Sequence, residues 1–219
     1  MNRLRTVSIA GSPSAHSRSS WLIELAQTQF RRAGARGTSI RVSELPAGPL
    51  LLADKTDPQL RSAVAQVLEA DVVIVATPIY KAAYSGLLKA FLDLLPQDGL
   101  RDKTVLPLAT GGSIAHLLAL DYALKPVLSA LGARDILDPV FATDAQIIKH
   151  PTLGYAPLPE VALRVESALQ ILIDRAEEFE RSEEAARERD ELLAHLQPKL
   201  PAPSVNPEPW AARDVRWSV

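Results

Sequence analysis

The chain has 219 residues, which is enough to bury the core of one α/β domain, and a second independent domain is not expected. Its 24 lysines and arginines nearly balance its 26 aspartates and glutamates, so the charge does not favour nucleic acid as a partner. The chain has no cysteine and no apolar run of about 18 residues, which excludes disulfides and thiol chemistry and makes a cytoplasmic protein without a membrane span the expectation.

Short apolar runs alternate with segments of helical periodicity, which is typical of a parallel sheet covered by helices on both faces. In chain order, the runs predict strands at 5–10, near 38–43, at 71–76, at 103–109 and near 134–141. Residues 72–75 are apolar without alternation, so the third strand is expected at the centre of the sheet. Together these features predict a flavodoxin-like, doubly wound, five-stranded parallel sheet.

Leucine-rich segments predict helices around residues 22–26, 87–95 and 114–131, and a final helix that begins near residue 157. Residues 198–209 contain five prolines, which prevent a helix or a central strand there. We therefore predict a flavodoxin-like domain at 1–180, followed by a charged helix extension and a Pro-rich tail at 181–219. The sequence indicates no function for this tail.

The predicted helix at 114–131 contains a proline in its interior. Pro126 has no N–H, so the carbonyl group of Tyr122 loses its usual partner four residues later. A bulge or a kink is expected at this position, with a simple kink of no functional consequence as the alternative.

The turn after the first strand leads directly into a helix and is rich in hydroxyl groups. A helix N-terminus attracts anions, and an arginine beside it can hold a phosphate through charge-assisted hydrogen bonds. The candidate phosphate ligands are Ser12, Ser17, Arg18 and Ser19. The turn lacks the glycines of a dinucleotide fingerprint and the lysine of a Walker loop. A capping turn with an exposed arginine is the alternative interpretation.

Two further loops follow the third and fourth strands, and they suit a planar ring. A proline and aromatic side chains form a rigid surface, and paired glycines let the backbone approach a ligand closely. The residues are Pro78, Ile79, Tyr80 and Lys81 in one loop and Thr110, Gly111, Gly112 and Ser113 in the other. Because the carboxyl ends of neighbouring parallel strands meet at one edge, the three loops predict a crevice for flavin mononucleotide (FMN).

The residues in these loops carry a family resemblance. Gly11-Ser12-Pro13, Ser17-Arg18-Ser19-Ser20 and the runs 76–86 and 106–113 resemble the NADPH-dependent FMN reductase family, and the run 115–128 is similar to its alkanesulfonate-assimilation branch. The resemblance covers roughly residues 5–175.

The resemblance implies that the first loop binds the FMN phosphate and that the other two loops hold the flavin ring. It implies NADPH as hydride donor, with NADH as the alternative, and release of reduced FMN to a partner monooxygenase that cleaves a carbon–sulfur bond. It also implies a homo-oligomer, often a tetramer, in which a tyrosine matching Tyr122 lies in a π-bulge at the subunit interface and modulates flavin release. Neither a metal nor a catalytic acid or base in the protein is expected, because the two cofactors carry the redox chemistry.

Three other interpretations stay open at this stage. A quinone or azo-dye reductase would keep its FMN bound and reduce a second substrate, and a flavodoxin-like electron carrier would not be an enzyme. A flavin-free scaffold that recruits a partner is the third.

His116 lies beside the flavin loop, but a lone histidine is more often a packing or capping residue than a catalyst.

Overall fold

The computed structural model describes residues 4–150 and 154–196 of the chain. Within these ranges the strands are β1 (Arg5–Ala10), β2 (Arg36–Arg41), β3 (Val72–Tyr80), β4 (Ala83–Tyr84), β5 (Thr104–Gly111), β6 (Asp135–Ile136), β7 (Val140–Thr143), β8 (Ile147–His150) and β9 (Gly154–Pro157). The α-helices are α1 (Arg18–Arg32), α2 (Ala47–Leu51), α3 (Pro58–Glu69), α4 (Gly86–Leu92), α5 (Lys125–Ala130) and α6 (Pro159–Leu196). Short 3₁₀ turns lie at Val42–Glu44 and Ile114–Leu117, and a π-helical segment lies at Leu120–Leu124.

The main sheet has the order β2-β1-β3-β5-β6, and β7 also pairs with β5. All of these pairings are parallel, whereas β4 forms an antiparallel hairpin with the end of β3. The flavodoxin-like fold predicted from the sequence is confirmed. The antiparallel hairpin of β8 and β9 forms a separate small sheet, which the sequence analysis did not predict.

Two hydrophobic clusters cover the two faces of this sheet. On one face, Val73 and Val75 of β3 pack with Leu60 of α3 and Phe91 of α4. On the other face, Ile74 of β3 belongs to the cluster that contains Leu22 and Phe30 of α1 and Val165 and Leu169 of α6. Because β3 is buried on both faces and pairs with β1 and β5, its predicted central position is confirmed.

The predicted fifth strand at 134–141 is wrong as a single element, because it is divided into β6 and β7. Pro139 lies between the two strands, and a proline has no N–H to donate to a ladder. β6 pairs with the start of β5, and β7 pairs with its end. The interruption leaves the carboxyl end of β7 beside Gly111, the last residue of β5.

The predicted helix at 114–131 is also interrupted. A 3₁₀ turn and the π-helical segment precede α5, and the amide of Lys125 donates to the carbonyl oxygen of Leu120 five residues earlier. Pro126 follows directly and cannot donate a hydrogen bond of its own. The irregularity expected at Tyr122 is therefore present as a π-helical segment.

The chain divides into two compact units, Met1–Glu180 and Arg181–Val219. In the first unit, α6 buries Val161, Val165, Leu169 and Leu172. In the second unit, residues 181–196 continue α6 and are rich in exposed charged side chains. The predicted Pro-rich tail at 198–209 lies outside the described residues.

Among the helices that the structure describes, none is long and apolar enough to cross a lipid bilayer.

Candidate functional site

A crevice with a volume of ≈ 290 Å³ lies at the carboxyl ends of the central strands. This volume is close to the lower limit of about 300 Å³ for small-molecule sites in proteins. The crevice is lined by Ser12, Ser14, His16, Ser17, Arg18, Pro78, Ile79, Tyr80, Thr110, Gly111, Gly112, Asp144 and Tyr155. Residues from all three loops singled out in the sequence therefore line one crevice.

The first loop presents a cluster of serines at the N-terminus of α1. Ser17 is the N-cap, and its Oγ accepts a hydrogen bond from the amide of Ser20 at 3.1 Å. The Oγ of Ser12, a residue that is only 2% exposed, accepts from the amide of Ser14 at 3.1 Å. Ser19 does not line the crevice: it is buried, and its Oγ lies 3.1 Å from the Oγ of Ser17. The predicted phosphate contact of Ser19 stays a prediction, and in the structure its hydroxyl contacts Ser17.

The guanidinium of Arg18 is held by the segment that follows β7. Its Nε donates to the carbonyl oxygen of Ile147 at 3.0 Å, and its Nη1 lies 3.5 Å from Oδ1 of Asp144. Its Cζ lies 5.4 Å from the centroid of the Tyr155 ring, within the range of a cation–π contact. Arg18 is therefore a positioned cation at the edge of the crevice.

The second loop is part of a hairpin, because β3 continues past its pairing with β1 as far as Tyr80. Lys81 and Ala82 form the turn with φ of 51° and 62°, the left-handed region that non-glycine residues seldom adopt. Pro78, Ile79 and Tyr80 line the crevice, but Lys81, at the exposed tip of the turn, does not. The predicted ring-binding role of Lys81 therefore finds no support in its position.

Ser85 connects the second loop to the first. Its amide donates to Oγ1 of Thr77 at 3.0 Å, and its Oγ accepts from the amide of Leu88 at 3.1 Å as the N-cap of α4. The same hydroxyl donates to the carbonyl oxygen of Gly11. These buried hydrogen bonds fix the relative positions of the loops after β1 and β3.

The third loop supplies backbone rather than side chains. Thr110, Gly111 and Gly112 line the crevice, whereas Ser113 lies outside the lining and caps the 3₁₀ turn through a 3.3 Å hydrogen bond from the amide of Ala115. Nδ1 of His116 is buried and has no hydrogen-bond partner among the residues that the structure describes. It lies against Gly111, so His116 supports the loop from behind.

The sequence analysis missed Ser14, His16, Asp144 and Tyr155 as lining residues. Ser14 and His16 lie within the first loop, between the predicted residues Ser12 and Ser17. Asp144 directly follows β7, so the rule that strand ends meet at one edge would have found it had the fifth strand been extended to residue 143. Tyr155 belongs to β9, which neither an apolar run nor alternation marks in the sequence.

The lining fits a phosphorylated planar ring such as FMN. Hydroxyl groups, a helix N-terminus and a positioned guanidinium form one part of the crevice, and these groups are the usual donors to a phosphate. Pro78, Ile79 and Tyr80 supply a largely apolar wall, and an added Cβ at Gly112 would meet no heavy atom within 4 Å, so the backbone there is open to a ligand. Among the described residues, no group of three or more His, Cys, Asp and Glu side chains is arranged to hold a metal ion.

Comparison with known proteins places the chain among flavin reductases. Residues 4–147 match the family described as NADPH-dependent FMN reductase. An FMN reductase (NADPH) of Escherichia coli (strain K12) is 47% identical over 169 residues, which cover 76% of this chain and 87% of that protein. The NADH-dependent FMN reductase SfnE of Pseudomonas putida is 35% identical over 150 residues, which cover 68% of this chain and 73% of the relative.

Solved structures agree with this assignment. The apo form of the NADH:FMN oxidoreductase EmoB has a TM-score of 0.70 and 43% identity, and the alignment covers 78% of this chain and 88% of that one. An FMN-dependent NADH-azoreductase from Bacillus anthracis has a TM-score of 0.55 and 16% identity, with coverage of 77% and 99%. At that identity, the second likeness concerns the fold alone.

Proposed function

This chain belongs to the NADPH-dependent FMN reductase family, and from that premise we propose that it reduces free FMN with NADPH and releases the reduced flavin to a partner monooxygenase. The observation that carries the proposal is the convergence of the serine- and arginine-containing loop with the two ring-binding loops in one crevice. NADH is a second candidate donor, because SfnE and EmoB are named for it. A cytoplasmic location suits both nicotinamide donors.

The protein's part in this reaction is to bind and orient. FMN, when bound, supplies the ring that accepts a hydride from the nicotinamide. Ser12, Ser17 and Arg18 would hold the phosphate, with Ser19 supporting Ser17 from the buried side. Pro78, Ile79 and Tyr80 would exclude water from one side of the ring, and the backbone of residues 110–112 would approach its polar edge. No side chain of the crevice is assigned the role of a catalytic acid or base.

We further propose that the segment around Tyr122 forms a subunit interface. Tyr122, Leu118 and Ile114 are 80%, 57% and 65% exposed, and large apolar side chains in such a group are typical of surfaces that bury against another chain. A homo-oligomer, expected to be a tetramer, would cover them. The π-helical segment begins nine residues after Gly111, so a change in its register can act on the flavin loop and on the interface together.

The proposed partner is a monooxygenase that uses reduced FMN to break a carbon–sulfur bond. The proposal is supported by the likeness of the run 115–128 to the alkanesulfonate-assimilation branch of the family. A reductase of this kind needs no sulfonate site of its own, and a crevice of only ≈ 290 Å³ suits a ligand that leaves. A quinone or azo-dye reductase that retains FMN is the competing function.

Two measurements on the purified protein separate these functions. We expect that FMN added in excess is removed by gel filtration, and that oxidation of NADPH, followed at 340 nm, saturates with the concentration of free FMN. Anaerobic transfer of the product to an alkanesulfonate monooxygenase, followed by addition of an alkanesulfonate and oxygen, should then release sulfite. A protein that retains stoichiometric FMN through gel filtration and transfers electrons to a quinone instead would contradict the proposal.

A further inference from the structure

Asp144 places a carboxylate at the edge of the candidate phosphate site. Its Oδ1 lies 3.5 Å from Nη1 of Arg18, and the two side chains are 51% and 32% exposed. The amide of Asp144 donates to the carbonyl oxygen of Gly111 at 3.0 Å, which fixes the backbone of Asp144 against the third loop. The aspartate therefore lies between the arginine and the flavin loop, and it lines the same crevice as both.

A carboxylate in this position opposes phosphate binding. An FMN phosphate carries about −1.5 to −2 charges near pH 7, and at short range it is repelled by a second anion. Arg18 has one guanidinium, and its Nε is already occupied by the carbonyl oxygen of Ile147. A phosphate that approaches Arg18 must therefore share or displace the contact with Asp144.

The turn that carries Asp144 is fixed by other groups. The amide and the hydroxyl of Thr143 both donate to Oε1 of Gln146, at 3.0 Å and 3.2 Å. In return, the amide of Gln146 donates to the carbonyl oxygen of Thr143. The carboxylate of Asp144 is not needed for these bonds. Its charge can thus be removed while the turn keeps its geometry.

We propose that Asp144 is a specificity-determining residue that limits the affinity for the FMN phosphate by competing with it for Arg18. The inference rests on the proposed function, in which the flavin is a substrate that must leave after reduction. Competition lowers the part of the binding energy that comes from the phosphate and leaves the part that comes from the ring. The opposite role, in which Asp144 orients Arg18 toward the phosphate, predicts an effect of the opposite sign.

The test compares FMN with riboflavin, which has the same ring and no phosphate. Dissociation constants are measured by quenching of flavin fluorescence for the parent, for Asp144→Asn and for Asp144→Ala, with thermal unfolding as the check of folding. We expect FMN to bind about fivefold or more tightly to both variants, and riboflavin to bind as it does to the parent. Asp138→Asn removes an equal charge from an exposed aspartate outside the crevice and should change neither constant.

A double variant identifies the route of the effect. In an Arg18→Ala background the gain from Asp144→Asn should largely disappear, because there is no longer a guanidinium to compete for. An unchanged or weakened affinity of Asp144→Asn for FMN, or a gain that persists in full without Arg18, would overturn the proposal. These outcomes are separate from failure of the proposed function, which would appear in the parent protein as retained FMN and absent turnover of free flavin.

Discussion

Gly111 lies so close to the ring of His116 that a Cβ at this position would be 3.1 Å from Nδ1 of the histidine. The same Cβ would be 3.2 Å from Cζ of Phe141, a buried residue of β7. At Gly112, one residue later, a Cβ would meet no heavy atom within 4 Å. Two adjacent glycines in the third loop of the crevice are therefore under opposite steric constraints.

Alanine substitutions at Gly111 and Gly112 form a matched pair of variants that tests this difference in steric constraint. Gly111→Ala should lower the free energy of unfolding by about 1–3 kcal/mol and weaken FMN binding, because the added methyl group forces His116 or the loop to move. Gly112→Ala should keep the stability within about 0.5 kcal/mol of the parent, as a surface change does. Urea unfolding and FMN titration check both. Equal stability of the two variants would show that the contact with His116 relaxes freely.

Arg18→Ala should weaken FMN binding by about tenfold or more while the fold is retained. A charge-assisted phosphate contact is worth about 1.5–3 kcal/mol, and Arg18 belongs to neither hydrophobic cluster. Arg31→Ala, in the last turn of the same helix, is the control for removing a positive charge. If the FMN dissociation constant of Arg18→Ala equals that of the parent, then Arg18 has only a structural role, through its hydrogen bond to the carbonyl oxygen of Ile147.

Deletion of Tyr122 should convert the π-helical segment into a more regular helix, since such a segment contains one residue more than the α-helix it interrupts. We expect the deletion variant to retain FMN through gel filtration and to turn over free FMN more slowly. Tyr122→Ala keeps the residue count and removes the exposed ring, so it separates the effect of the backbone from that of the side chain. A deletion variant that is colourless and as fast as the parent would refute a role for the π-helical segment in flavin release.

A chain that ends at Gln197 should reduce FMN at nearly the parent rate. The residues that line the crevice fall between Ser12 and Tyr155, within the first compact unit. Truncation before Val165 is the contrasting variant: it removes buried Val165, Leu169 and Leu172 and should prevent folding. NADPH oxidation with free FMN measures the outcome, and a large loss of activity on removal of 198–219 alone would assign the tail a role in the reaction.

Asp71 should contribute stability that is lost in acid. Burial raises the pKa of Asp71, but hydrogen bonds from the side chain and the amide of Arg5 outweigh it and hold that pKa below its usual value. The folded pKa is thus below the unfolded one, so the stabilisation is complete above about pH 4 and disappears as the pH falls through the folded pKa.

We expect Asp71→Asn to cost up to about 1 kcal/mol at pH 7, because solvent screens this partly exposed pair, and to cost less as the pH falls toward 3. Urea unfolding at the two pH values measures this difference. A cost that is the same at both would mean that the charge of Asp71 contributes nothing and only its hydrogen bonds do.

The central sheet could be predicted because burial on both faces leaves a direct trace in the sequence. Residues 72–75 are apolar without alternation, and the structure buries them on both sides of β3. The π-helical segment could also be predicted, since Pro126 removes a specific hydrogen-bond donor from a helix. In both cases a local chemical constraint determines the structure.

The remaining part of the crevice depends on tertiary contacts that leave little local trace. β8 and β9 have four residues each, β8 is mostly exposed and β9 is mostly half-buried, so neither alternation nor an apolar run marks them. Pro78 signals a loop in the sequence, but β3 continues to Tyr80, and Pro78 forms the last pair of its ladder with β5, opposite Thr110. Asp144 and Tyr155 therefore enter the site through segments that only the folded chain brings to Arg18.

The hydrogen bond from Arg18 to the carbonyl oxygen of Ile147 can form only late in synthesis of the chain, since 129 residues separate the two in sequence. At a synthesis rate of about 5–20 residues per second, the first loop exists for about 6 to 26 s before the acceptor of its arginine has been made. The pairing of β1 with β3 is delayed too, because Arg5 and Asp71 are 66 residues apart. A ribosome-bound chain that stops short of residue 147 thus carries the serines of the first loop, whereas the acceptor that positions the Arg18 guanidinium has not yet been made.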